Sequence, residues 1–461
     1  MPPEDTIVAI ATGESQGAIG IVRVSGPSAY WLGQRLTQGK SLPDRRAVFS
    51  VFTSLQGESL DEGLALFFKG PRSFTGEDCL ELQGHGGRAA PKALLQACLG
   101  LSSQTHPIRL AQAGEFTQRA FLNGRLDLVQ AEAVADIIEA QSTRSLKAAV
   151  RSLSGLFSQA VHQLQEQLVE FRVLVEAHLD FSDEEIEGLE LAQSLEVRLV
   201  NLQFSLDEVL RSVESGLKLK EGSRVVLVGS PNAGKSSLMN ALSCEDVAIV
   251  SEQPGTTRDR LTEELEIQGV HFFLTDTAGL RNTDEPIEQL GIERSWRALK
   301  AADLILFVED IRTCGLNEAL LHECLQNREE GTEVWRVFNK WDLMPESTGP
   351  LPSEDVGDCL PFFVSARTGY GLEDLRQGIL RFVAAEQGEG ASLFLARQRH
   401  LEALLEVRTQ LTRALGYLRL DSLELLAEHL RLAQDQLGSL LGRRTSDDLL
   451  GDIFSRFCIG K

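Results

Sequence analysis

Positive charge is what this chain most lacks. Of its 461 residues, 45 are Lys or Arg and 67 are Asp or Glu, a formal net charge of −22. Such a surface favours solubility and disfavours non-specific nucleic-acid binding, so any RNA contact must use a local basic patch or a partner protein. No apolar run reaches the roughly 18 residues that a membrane span needs, so none is expected. Met1–Gly20 holds no basic residue and carries Glu4, Asp5 and Glu14, which argues against a signal peptide and against an Arg-rich transit peptide. The cysteines at 79, 98, 244, 314, 324, 359 and 458 show no paired metal-ligand spacing. An odd, scattered set suggests a reducing compartment, and a cytoplasmic protein is expected.

What the chain does have is apolar content, 43% of residues, enough to build real cores in about three domains at this length. One stretch organises the rest. The apolar run Val225–Val228 leads into Gly229-Ser230-Pro231-Asn232-Ala233-Gly234-Lys235-Ser236-Ser237, and a helical pattern follows at Leu238, Met239, Ala241 and Leu242. A buried strand feeding G-x-x-x-x-G-K-S into a helix N-terminus is the context a phosphate loop requires. Backbone N–H groups close around phosphate oxygens there, and the helix dipole adds positive potential. Lys235 would reach the β- and γ-phosphates, and Ser236 would bind Mg²⁺.

Further strands are expected at 261–267, 271–275, 304–308, 334–338 and 362–364. The first two join through Gln268-Gly269 as a hairpin, and the rest alternate with helical segments, so the sheet should be mostly parallel. Ligands bind at the C-terminal ends of such strands, and the remaining motifs fall there. Asp276-Thr277-Ala278-Gly279 would hold a Mg²⁺ water and sense the γ-phosphate; Gly255-Thr256-Thr257-Arg258-Asp259 supplies a threonine for Mg²⁺. Asp342 in Asn339-Lys340-Trp341-Asp342 can accept from N1–H and the N2 amino group of guanine, donors that adenine lacks at that edge. Ser365-Ala366-Arg367 offers a backbone N–H to guanine O6. All of these in order, each after a strand, point to a GTPase. Leu280 stands where many GTPases carry the glutamine that orients the attacking water, so another residue must do so; Asp284, Glu285, Glu288 and Glu293 are the nearby carboxylates.

The flanks differ in texture. Residues 1–118 mix short β-like runs (19–24, 64–68) with a helical stretch at 91–101, and read as an α+β domain. Gly84-His85-Gly86-Gly87 is either an RNA-clamping G-x-x-G loop or a tight turn after a strand that ends near Glu81. From Phe121 apolar residues fall three and four apart: 126–138, then one continuous period from Leu146 to Val175, then Leu191 to Leu217. The pattern returns from Leu401 to Leu440. The economical reading is one helical domain, 119–221 and 385–461, with the α/β block 222–384 inserted and Gln387–Ser392 as return linker.

Taken whole, the chain resembles the tRNA modification GTPases that act on wobble uridine, the MnmE/TrmE family. The likeness rests on Gly229–Ser237, Gly255–Asp259, Leu80–Gly87, Phe121-Leu-Asn-Gly-Arg-Leu-Asp-Leu128 and the terminal Phe457-Cys-Ile-Gly-Lys461. It implies a multidomain α/β protein: an N-terminal α+β folate-binding, dimerising domain, a helical bundle domain and an inserted Ras-like P-loop GTPase domain. It implies GTP contacts over Asn232, Ala233, Gly234, Lys235, Ser236 and Ser237, over Ser251, Glu252, Gln253, Pro254, Gly255, Thr256 and Thr257, over Asp276–Gly279, and at Asn339, Lys340, Asp342, Ser365, Ala366 and Arg367. Mg²⁺ would be held by Ser236 and Thr257, K⁺ by Asn232, Ser251, Gln253 and Thr256, and a tetrahydrofolate derivative (5-formyl or 5,10-methylene form) by Arg23, Glu81, Arg125 and Lys461. Glu288 would position the water and Lys235 the phosphates. Cys458 is either a small buried hydrophobe or a catalytic thiol. The homodimer would work in a heterotetramer with an FAD-dependent partner, on tRNA and away from membranes. The competing class, a GTP-switched RNA-binding assembly factor, would need a basic RNA module that this acidic chain does not offer.

Overall fold

The computed structural model describes residues 5–13, 17–140, 142–180, 188–221, 223–243, 262–267, 270–276, 296–313, 316–329, 331–344, 360–386, 394–420, 422–442, 453–455, 457 and 460. The chain divides into two compact units. One comprises Met1–Glu139, Ala149–Val209 and Glu402–Lys461; the other comprises Ala140–Ala148 and Leu210–Leu401. Among the described residues no helix is long and apolar enough to cross a membrane.

The second unit is built on a six-stranded sheet: β7 (Ser223–Gly229), β8 (Thr262–Ile267), β9 (Val270–Asp276), β10 (Leu304–Asp310), β11 (Glu333–Asn339) and β12 (Leu360–Phe363), in the order β12-β11-β10-β7-β9-β8. All neighbours are parallel except the β8–β9 hairpin, as the alternation of strand and helix patterns implies. The unbroken apolar runs of β7 and β10 follow from burial on both faces. On one side Leu227, Leu306 and Val337 pack with Leu375 and Ile379 of α10 (Leu372–Glu386); on the other, Val226, Val228 and Phe307 pack with Leu321 and Cys324 of α9 (Glu318–Asn327). Between β7 and β8 lies α8 (Lys235–Ser243).

The first unit opens with another sheet: β1 (Thr6–Ile10), β2 (Ile19–Ser25), β3 (Ala47–Thr53), β4 (Ser59–Phe68), β5 (Cys79–His85) and β6 (Ile108–Leu110), in the order β3-β4-β5-β2-β1-β6. Pairing is antiparallel except between β1 and β6. Alternation sends Val22, Val24, Leu80 and Leu82 to one face, where they bury Leu32 and Leu36 of α1 (Ala29–Leu36) and Leu94 of α2 (Ala90–Gly100). Arg23, Glu81 and Gln83 occupy the opposite face, half-buried. β5 runs on past Glu81 to His85, beyond the expected turn. Ile19 of β2 pairs opposite His85, and the Asp61 carboxylate accepts from the His85 N–H (2.8 Å) and lies 2.6 Å from Nδ1.

The helices that follow are α3 (Glu115–Leu122), α4 (Leu128–Glu139), α5 (Thr143–Leu153), α6 (Leu156–Asp180), α7 (Gly188–Glu221), α11 (Gln398–Arg419) and α12 (Leu423–Leu440). The single period expected from Leu146 to Val175 is two helices. Gly155, at φ +89°, turns the chain between α5 and α6 while the apolar spacing carries on through it. The apolar stripe of α6 (Phe157, Val161, Leu164, Leu168, Phe171) is buried, and α6 lies along α12, whose Leu426, Leu430, Ala433 and Leu437 are buried likewise.

Arg119 on α3 is 1% exposed and anchors a charged cluster inside this unit. Its guanidinium donates to Asp5 Oδ1 (2.8 Å), Glu115 Oε1 (3.1 Å) and Glu77 Oε2 (3.1 Å), while Arg109 pairs with Asp5 (2.6 Å) and Glu115. Burial pushes the Asp5 and Glu115 carboxyls up, but hydrogen bonds from Arg109 and Arg119 override it and hold both below the ordinary carboxylate range. Carboxyls depressed in the folded state contribute stability that is complete above their unfolded pKa of about 4 and is lost as pH falls through the folded values. Urea unfolding should therefore show stability falling below about pH 4. Arg119→Ala should destabilise the fold near neutral pH by about 1–3 kcal/mol, because Glu77 loses its guanidinium partner while Asp5 and Glu115 keep only Arg109, and should make that acid limb shallower. A full-depth acid limb in the variant would contradict the assignment.

Candidate functional site

The site is assembled at the C-terminal ends of β7, β10, β11 and β12. β7 ends at Gly229, the loop 230–234 follows, and α8 begins at Lys235. Lys235 Nζ donates to the carbonyls of Gly229 (3.0 Å) and Ser230 (3.2 Å), so its ammonium lies across the loop that its own backbone N–H groups line. Ser236 and Ser237 open the helix beside it. Asn232 sits at φ +65°, a left-handed position that Asn tolerates, with its side chain exposed.

Asn339, the last residue of β11 and 2% exposed, ties three loops together. Its Nδ2 donates to the Ala233 carbonyl (3.0 Å), and its Oδ1 accepts from the N–H groups of Lys340 (2.8 Å) and Ala366 (3.1 Å). Gly234 is what permits this approach: a Cβ there would lie 2.3 Å from Asn339 Nδ2, and φ is +94°. Lys340, also left-handed at φ +65°, donates from Nζ to the Asn232 carbonyl (2.6 Å) and to Asp310 Oδ2 (2.9 Å). Asp342 Oδ1 accepts from Ser365 Oγ (2.6 Å), which in turn accepts from the Thr368 N–H (3.2 Å). That chain fixes a carboxylate acceptor beside the turn Ser365-Ala366-Arg367, whose Ser365 N–H donates to the Tyr370 carbonyl (2.9 Å).

Asp310 was not among the residues that the motifs single out. It ends β10, where its register neighbour on β11 is Asn339. Hydrogen bonds from Arg312 outweigh burial, and with the Lys340 ammonium they hold its carboxyl far below the usual carboxylate range. An aspartate closing an apolar strand was the available signal.

The structure thus brings together Asn232–Ser237, Asn339, Lys340, Asp342, Ser365, Ala366 and Arg367. The β7–β9 register sets the backbone of Asp276 opposite Leu227, at the same sheet end. Ser251, Glu252, Gln253, Pro254, Gly255, Thr256, Thr257, Thr277, Ala278, Gly279, Leu280 and Glu288 lie outside the described residues, as do Cys458 and Lys461. Arg23 and Glu81 form an ion pair on the first sheet (2.9 Å), and the Arg125 stem lies against Gly76.

A phosphate loop between a buried parallel strand and a helix, with a guanine-type Asn-Lys-x-Asp loop hydrogen-bonded onto it, defines a P-loop GTPase. Two family models match the chain: the MnmE helical domain over residues 128–458, and the GTP-binding protein TrmE N-terminus over residues 6–125. The chain is 46% identical to the tRNA modification GTPase MnmE of Acidovorax sp. (strain JS42) over 99% of both chains. It is 47% identical to that of Bordetella avium over 99% of both, and 47% identical to that of Nitrosomonas eutropha over 100% of both. The chain belongs to the MnmE family of tRNA modification GTPases: it is a GTP hydrolase in tRNA modification.

The contact at Gly234 yields a prediction. Gly234→Ala must displace Asn339 from the phosphate loop, because neither backbone nor carboxamide can yield without breaking the three bonds above. Equilibrium titration with a fluorescent GDP analogue should show affinity reduced by about tenfold or more, the scale of one lost charge-free contact plus strain. Wild-type affinity would show that the close approach is not needed.

Proposed function

We propose that the chain is a potassium-activated GTPase that takes part in adding a carboxymethylaminomethyl or aminomethyl group to the fifth carbon of wobble uridine in tRNA. The one-carbon unit comes from a tetrahydrofolate derivative, in its 5-formyl or 5,10-methylene form, and an FAD-dependent partner enzyme completes the chemistry. The protein acts in the cytoplasm as a homodimer within a heterotetramer, and its GTPase domains pair during the nucleotide cycle.

The observation that carries the folate half of this reading is the Arg23–Glu81 pair. Arg23 donates to Glu81 Oε1 from Nε (3.1 Å) and Nη2 (2.9 Å), and Gln83 Nε2 donates to Oε2 (3.3 Å). The rings of Phe74 and Phe116 lie 5.7 and 5.9 Å from the guanidinium carbon. An oriented, half-buried carboxylate on an open sheet face suits the donor edge of a pterin, and nearby cations suit an anionic tail. Gly460, within the C-terminal motif, lies on the same sheet. Gly460 lies so close to β1 that a Cβ on it would be 2.4 Å from the Ile10 carbonyl, and Ala9 of β1 pairs opposite Arg23. Residues of this set that would meet folate are Arg23, Glu81, Arg125 and Lys461.

In the GTPase, Asp342 held by Ser365 accepts from guanine, and Lys235 with the loop N–H groups binds the phosphates. Ser236 at the head of α8, Thr257 and, through water, Asp276 would hold Mg²⁺; the sheet-end position of Asp276 and the hydroxyl beside Lys235 fit a hard cation. The exposed carboxamide of Asn232, with the carbonyls of Ser251, Gln253 and Thr256, would hold K⁺. Bound there, the cations supply positive charge against the phosphate oxygens. Glu288 orients the water, a task for which Leu280 has no polar atom.

Titrating the purified chain with 5-formyltetrahydrofolate should give saturable binding that Glu81→Ala loses. Single-turnover GTP hydrolysis by both proteins should remain equal, and faster in KCl than in NaCl. Equal folate binding by both proteins would overturn the site, and equal rates in the two salts would overturn the potassium step.

A further inference from the structure

We propose that Asp310 is a positioning residue for nucleotide binding: it clamps Lys340 of the guanine loop onto the carbonyl of Asn232, so that the base-binding and phosphate-binding loops are held as one unit before GTP arrives.

Lys340 bridges two anchors. Its Nζ donates to Asn232 O at 2.6 Å and to Asp310 Oδ2 at 2.9 Å. Between them its stem runs along the phosphate loop, with Cε 3.9 Å from where a Gly234 Cβ would stand. A lysine held only by one carbonyl would trade that contact freely for water, since ordering its four-carbon stem has a large entropic cost. Asp310 restricts that freedom, because both of its own carboxylate oxygens are engaged. Its Oδ1 accepts from the Arg312 N–H (3.1 Å) and Nε (3.0 Å), and its Oδ2 accepts from Arg312 Nη2 (2.6 Å). The carboxylate is 10% exposed, whereas the Arg312 guanidinium that braces it is 54% exposed. Its backbone is fixed by the β10–β11 register, which sets Asp310 opposite Asn339, the residue before Lys340.

Asn232, the residue whose carbonyl Lys340 grips, is left-handed and exposed. A pull on Lys340 is therefore a pull on the turn that shapes the phosphate site. Asp310 touches neither base nor phosphate in this account; it acts through Lys340.

A double-mutant cycle tests this on the full chain with Mg²⁺, with release of a fluorescent GDP analogue followed by stopped flow. Asp310→Ala and Lys340→Ala should each speed release by about tenfold or more, the scale of one charge-assisted contact. The double variant should release no faster than the faster single one, because both changes remove the same bridge. Asp310→Asn, which keeps the acceptor oxygen and the shape, should fall between wild type and Asp310→Ala. It carries the cycle alone should the alanine variant not fold. Wild-type release in the Asp310 variants would overturn the proposal. So would effects that multiply in the double variant, the outcome expected if Asp310 only stabilises its own strand end.

Discussion

The carboxamide of Asn339 is the interaction on which the nucleotide site depends. It is buried, and it uses both of its ends: Nδ2 on the Ala233 carbonyl, Oδ1 under the N–H groups of Lys340 and Ala366. Three loops from separate strands meet there, and each supplies a backbone group that this carboxamide satisfies. Polar groups buried without a partner cost about 1–3 kcal/mol each, so the three loops favour one mutual arrangement. The arrangement is possible because β10 and β11 end together, Asp310 opposite Asn339, and β7 ends at Gly229 opposite Val308, two residues short of them, on strands packed on both faces. Gly234 and the left-handed turns at Asn232 and Lys340 then fit the backbone to that one carboxamide.

The first unit solves a different problem with the same chemistry. In an acidic chain, three carboxylates (Asp5, Glu77, Glu115) converge on Arg109 and Arg119, and their mutual repulsion is offset by guanidinium forks. The pairing joins the β1 end, the loop before β5 and α3, and so fixes the sheet face that carries Arg23 and Glu81.

Much of this was legible in the sequence, and the reason lies in locality. The strand, glycine loop and helix at 225–242 follow one another without interruption, and Asn339 and Ser365 stand directly after their own apolar runs. The missed features depend on partners far away in the chain. Gly155 breaks a helix although the apolar spacing runs on unchanged, and that spacing does not report burial before the break: Leu146 and Val150 are exposed, whereas Phe157 and Val161 are buried. β5 outlasts its expected end because Asp61, on another strand, holds His85. No motif marks Asp310 or Arg119, whose partners Lys340 and Asp5 stand far from them in the chain. Hydrophobic period reports burial of a face; it carries no trace of a hydrogen bond between distant loops.

The central claim is that one side chain holds three loops in register, and hydrogen–deuterium exchange on nucleotide-free protein tests it most directly. In Asn339→Ala, amides of 230–234 and of 365–369 should exchange faster together with those of 339–341, while β7 and β10 keep their protection. Faster exchange confined to 339–341, with the other two loops unchanged, would contradict the account.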